Sequence, residues 1–235
     1  MFVGVDNLKG AWLACIITDE DCAYVHLYKS LSQLWQELSG ATEILIDMPI
    51  GLPPPGEKGR SCDLIARKIL GPKRACSVFP VPCREVIYAS NYNEARELNK
   101  KIARNSISRQ TWNLTSQIRE VDLFLSLNPV ARKKIKETHP EVCFWALAGG
   151  RPMVYGKKTK EGKEERREVL SVVYPPTEKI IKKFARFFPE DDLLDALSCA
   201  VTAFLGFNRW TSLPSPPPLD ERGLPMEIVF FLIKK

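Results

Sequence analysis

Three short apolar runs packed into the first 29 residues constrain this chain more than any other feature. Residues 2–6 (FVGVD) place Phe2, Gly4 and Asp6 on one side and Val3 and Val5 on the other, the period-two alternation of a strand. Residues 12–18 (WLACIIT) and 23–29 (AYVHLYK) read as two more strands, with DEDC as the turn between them. Connections this short join antiparallel neighbours. Residues 30–39 then space Leu31, Leu34, Trp35 and Leu38 along one face of a helix, with Ser30 or Ser32 as its cap. Residues 43–47 (EILID) read as a fourth, buried strand, halted by Pro49. A helical crossover returns the chain parallel to its starting strand, so the fourth strand is expected parallel to the first.

The middle of the chain is helical in pattern. Residues 62–71 are amphipathic and end on a glycine, and SVFPVPCR (77–84) is extended and proline-bound. Residues 92–103 and 108–126 read as helices, and Pro129 opens a short one. A strand runs into His139, a helix follows from Pro140 to Gly149, and a charged loop at 157 leads into another helix. Residues 188–206 carry the strongest helical pattern, with Leu193, Leu194, Leu197, Ala200, Val201 and Phe204 on its apolar side. A proline-rich connector (213–225) and a last strand (226–233) close the chain, which is read as one domain over 1–235.

The net charge of +6 is unevenly spread. Residues 57–109 hold twelve Lys or Arg against five Asp or Glu, so the rest of the chain is near neutral. A basic module on a neutral body suits an anionic partner, either nucleic acid or a phosphorylated small molecule. The seven cysteines are scattered, with no C-x-x-C pair, which fits reduced thiols in a cytoplasmic protein better than a zinc site. No apolar run approaches the ~20 residues of a membrane span, and no secretory signal is read at the N-terminus.

The candidate chemistry lies in four aspartates. Asp6 ends the first strand and Asp47 the fourth, so parallel neighbours would bring both to one sheet edge. Asp192 and Asp195 lie three apart and share a helix face, whose small residues Cys199 and Thr202 let the helix approach a sheet. Clustered carboxylates repel one another and resist desolvation, so such a group calls for a cation; hard oxygen donors suit Mg²⁺ or Mn²⁺. Each aspartate also has a local explanation. Asp6 and Asp47 suit turns, and Asp191 and Asp192 suit a helix N-terminus, Asp191 as its cap.

The motifs FVGVD, ILIDMPIGLP, SVFPVPCR, QIREVD, THPEVCFW, KKTKEGKEER and DDLLDALSCAVTA, in that order, resemble the family called domain of unknown function 429. The resemblance implies a nuclease with a ribonuclease H-like fold: a mixed five-stranded sheet flanked by helices, with a basic helical insert (52–135) between strands four and five. The Asp192, Asp195, Ala196, Leu197 pattern also resembles the last helix of RuvC-type Holliday junction resolvases. It implies that Asp6, Asp47, Asp192 and Asp195 hold metal, and that Glu137 or Glu141, with Glu141 preferred, joins the catalytic site. Arg60, Arg84, Gln110, Lys157, Lys158 and Arg166 are implied as substrate-binding groups for phosphate or a nucleic-acid backbone. His139 is read as a hydrogen-bonding residue at a strand end, with a proton shuttle as the alternative. An actin-like phosphotransferase would need a glycine-rich phosphate hairpin that DNLKG does not provide. A non-catalytic nucleic-acid or partner binding module remains the other reading.

Overall fold

The computed structural model describes residues 1–18, 23–57 and 59–234; the expected turn at 19–22 lies outside them. Strands β1 (Phe2–Leu8), β2 (Ala11–Ile17) and β3 (Ala23–Tyr28) lead to helix α1 (Leu31–Leu38) and strand β4 (Glu43–Ile46). Ser30 caps α1, its hydroxyl accepting from the Gln33 amide at 3.1 Å. Helices α2 (Ser61–Arg74), α3 (Arg84–Ile87), α4 (Tyr92–Ala103), α5 (Arg109–Leu127) and α6 (Pro129–Lys134) then precede β5 (Ile135–Glu137). Gly71, at φ +68°, breaks α2 before Pro72, but one further turn follows the break. Helices α7 (Pro140–Leu147), α8 (Lys160–Val173), α9 (Thr177–Phe184) and α10 (Glu190–Gly206) complete the helical part. Strands β6 (Thr211–Leu213) and β7 (Ile228–Phe230) pair only with each other, so the closing strand is shorter than its apolar run and stands apart from the main sheet.

The main sheet has the order β3-β2-β1-β4-β5. Strand β2 is antiparallel to both β1 and β3, while β4 is parallel to β1 and β5 to β4. Only β2 is therefore reversed. Val3, Val5, Ile44 and Ile46 face α1 and α5 in one apolar cluster, with Leu34, Ile118 and Val121. On the opposite face Leu13, Cys15 and Ile17 pack against Leu193, Leu197, Ala200 and Val201 of α10. Burial of these aliphatic side chains on both faces supplies the main stabilisation of the sheet.

Gly4 determines how closely α10 lies on the sheet. A Cβ at this position would fall 2.0 Å from the Ala200 amide nitrogen and 2.2 Å from the Ala196 carbonyl oxygen. Helix and strand therefore meet backbone to backbone, a contact that any larger residue would prevent.

Candidate active site

The alternation of β1 puts Asp6 on the same face as Gly4, two residues nearer the sheet edge. The parallel register pairs Gly4 with Leu45, and the Asp47 amide donates to the Val5 carbonyl at 2.8 Å, which carries the ladder on to the two aspartates. Helix α10 crosses at Gly4 through Ala196, so Asp195 and Asp192 come down over the tips of β1 and β4. Asp6 and Asp195 are buried, at 6% and 2% exposed, and Asp47 is half-buried.

The electrostatics record this convergence. Burial pushes the Asp6 carboxyl well up, and the charges of Asp47, Asp195 and Asp192 add to the shift against Lys157. Burial also raises Asp47, with Glu141 adding to it, while His139, Lys157 and a hydrogen bond from Asp6 act the other way. Asp195 is pushed up to about 6 by burial, with Asp47 and Glu141 contributing and Lys157 opposing. Asp192 is raised by burial and by Asp191, against Lys157, Lys158 and Lys9.

Lys157 is the counter-charge. Its ammonium donates to Asp195 Oδ2 at 2.5 Å. Burial works against its charge, but Asp195, Asp6 and Asp47 outweigh that and raise its pKa. The loop that delivers it is folded tightly: Thr159 caps α8, its hydroxyl accepting from the Gly162 amide at 3.0 Å and donating to the Gly156 carbonyl. A Cβ on Gly162 would lie 1.9 Å from the Gly156 carbonyl oxygen. Arg166, 1% exposed, bonds the carbonyls of Tyr155 (3.2 Å) and Gly162 (2.9 Å) and pairs with Glu141 Oε1. Glu141 Oε2 is buried without a partner. His139 caps α7, its Nδ1 accepting from the Glu141 amide at 3.2 Å. Its Nε2 lies 3.4 Å from the Ser77 carbonyl.

Beside Asp6 and Asp47 opens a cavity of about 180 Å³, walled by Asn7, Phe79, Gln110 and His139 among others. A second cavity of about 300 Å³ lies within the helical segment and shares Ser77, Phe79, Val81 and Gln110 with the first.

Among the described residues, no group of three or more His, Cys, Asp or Glu stands in ready-made coordination geometry. The chemistry of the donors nevertheless fits a hard divalent cation. Asp6, Asp47 and Asp195 offer only carboxylate oxygens, and the single ammonium of Lys157 offsets at most one of the three when they ionise. Glu141, whose Oε2 is unpartnered, raises Asp47 and Asp195.

The chain matches the family model described as protein of unknown function (DUF429) over residues 4–218. It belongs to that family. The DUF429 match takes in all five acids of the site and runs from β1 through α10. No curated protein and no solved structure matches the chain.

The residues drawn from the motifs divide into two groups. Asp6, Asp47, Asp195, Glu141 and Lys157 come together; Asp192 and Lys158 stand at the edge of the cluster, and Gln110 lies exposed on the cavity wall. The arginines have partners within the fold. Arg60 is 1% exposed and engaged by Asp63 and Glu137, which also takes Glu137 away from the acid cluster. Arg84 forks Asp122 at 2.8 and 3.1 Å and pairs with Asp220 at 2.6 Å and with Glu221, joining α3, α5 and the C-terminal segment. Arg166 holds Glu141 and the lysine loop. All three guanidiniums pair with internal carboxylates and so help to build the framework, although Arg166 Nε is left buried without a partner. Asp191 also fails as a cap: Pro189 occupies that position, and Asp191 lies in the first turn. Asn7, Phe79 and Lys9 escape the motif reading, although Asn7 directly follows the strand-end aspartate and Phe79 lies within a quoted motif. Among the described residues, no helix is long and apolar enough to cross a membrane.

Proposed function

We propose that the chain is a metal-dependent phosphodiester hydrolase, a nuclease, with Asp6, Asp47 and Asp195 as its metal-binding core. The observation that carries this reading is the meeting of two buried carboxyls and one half-buried carboxyl from β1, α10 and the end of β4, each raised by desolvation and two of them by the others. The strand order with β2 alone reversed supports a ribonuclease H-like sheet, with residues 52–135 as its basic insert. Mg²⁺ or Mn²⁺ held there, with Asp192 at the edge, would supply an activated water and stabilise charge developing at phosphorus. The chain's own groups do the rest. Lys157 pairs with Asp195 and would be the cation nearest a phosphate held at the carboxylates, Arg166 fixes the orientation of Glu141, and Lys158 and Lys9 add positive charge around Asp192. Nucleic acid is the expected substrate, drawn by the basic insert.

The test is cleavage of single strands, duplexes, hybrids and branched junctions with Mg²⁺ or Mn²⁺. Asp6→Asn is expected to abolish turnover with the circular dichroism spectrum unchanged. Equal failure of the unmodified protein on all four substrates would remove the hydrolase reading. The Lys157–Asp195 pair favours one alternative, a nucleic-acid binding module whose acids are neutralised from within. In that case binding persists, weakens with salt, and ignores both divalent ions and Asp6→Asn.

A further inference from the structure

We propose that the cavity beside Asp6 and Asp47 is a nucleobase subsite, which takes the base of the nucleotide whose phosphate lies at the carboxylates. The proposal rests on the hydrolase reading only for the placing of that phosphate.

The cavity's charge excludes an anion from its interior. Its lining acids are Asp6, Asp47, Asp63 and Glu137, and its one guanidinium, Arg60, has no donor to spare. Arg60 Nε and Nη2 bond Asp63 at 3.2 and 2.7 Å, Nη1 and Nη2 bond Glu137 at 2.6 Å each, and Nη1 bonds the Ile50 carbonyl at 3.0 Å. Phosphate therefore stays outside, and a neutral group is what the interior accepts. Met48, Phe79, Val81 and Leu114 give it apolar walls. At about 180 Å³ it is smaller than the ~300–1,000 Å³ pockets that enclose whole ligands, so it fits one ring system of a larger molecule.

Two amides border this apolar space. Gln110 is exposed at the start of α5, and its side chain makes no hydrogen bond to the described residues. Asn7 Nδ2 is buried without a partner, while its Oδ1 accepts from the Gly10 amide at 3.4 Å. A buried donor left unpaired is costly, and a turn of the Asn7 side chain toward the cavity would let it meet a carbonyl oxygen there. A side-chain amide pairs in two places with the edge of a base, and a phenyl ring such as Phe79 stacks on any base's face. Apolar walls, free amides and no available cation together describe a pocket for a planar, neutral, hydrogen-bonding heterocycle.

Calorimetry on the full-length protein in Mg²⁺, with each of the four nucleoside 5′-monophosphates and with ribose 5-phosphate, tests this. At least one nucleotide is expected to bind about tenfold or more tightly than ribose 5-phosphate, an increment that a seated base readily supplies. Gln110→Trp, a change at an exposed position that plugs the mouth, is expected to erase that advantage. Asn7→Ala is expected to reduce it. Equal binding of nucleotides and ribose 5-phosphate, no binding of any of them, or an advantage that survives Gln110→Trp would overturn the subsite. The two proposals fail separately. A base advantage without hydrolysis of any substrate keeps the subsite and removes the hydrolase, while hydrolysis abolished by Asp6→Asn without a base advantage does the reverse.

Discussion

Asp195→Asn removes one charge from the acid cluster while keeping the shape of the side chain, and its effect on stability can be worked from the structure. The Asp195 carboxyl is pushed from its ordinary value of 3.8 to about 6 by burial, after the relief that Lys157 provides. A raised acid pKa means that the native state holds its proton between these two values while the unfolded chain has released it. Stability therefore falls as pH rises through that window and levels off above it. At about 1.36 kcal/mol per unit, ionised Asp195 costs the folded protein about 3 kcal/mol at neutral pH. The asparagine variant escapes this cost, and Lys157 keeps Asp6 and Asp47 as neighbours. Urea unfolding of both proteins in EDTA, followed by circular dichroism at intervals from about pH 4 to pH 8, measures the difference. The variant is expected to match the wild type near the bottom of that range and to exceed it by about 3 kcal/mol at the top. A variant less stable at neutral pH, or a gap independent of pH, would refute the account of the cluster. Under the hydrolase reading, Mg²⁺ narrows the gap by stabilising the wild type alone.

Two further outcomes follow from the buried ion pairs. Arg60→Ala leaves the buried carboxyls of Glu137 and Asp63 without their cation, and is expected to cost about 3–5 kcal/mol in urea unfolding. Arg166→Ala is expected to cost a similar amount and to expose residues 151–158 to limited proteolysis, because the same guanidinium holds Glu141 and the Tyr155 carbonyl.

The sheet was legible because its signals are local. The period-two run at Phe2–Asp6, the amphipathic spacing after Ser30 and the apolar EILID each fix an element, and crossover rules then fix the neighbours. The meeting of the acids could be argued from the same facts, since strand ends and helix faces are set by periodicity. The arginine partners could not. Arg60 meets Glu137 across 77 positions, and Arg84 meets Asp220 across 136. A guanidinium paired within the fold and one waiting for phosphate look identical in a motif. The closing strand misled for a related reason: MEIVFFLI is apolar enough for a long strand, but among the described residues its only partner strand, β6, is three residues long.

The direct meeting of β1 and α10 at Gly4 has a bearing on how the site tolerates change elsewhere. Where side chains separate two elements, each substitution in the layer between them shifts their spacing by some fraction of an ångström. Here main chain rests on main chain, so the separation of Asp6 from Asp195 has little to do with the volume of the surrounding core. Aliphatic residues on either side of the sheet can drift in size over many generations while the carboxylates keep their mutual reach.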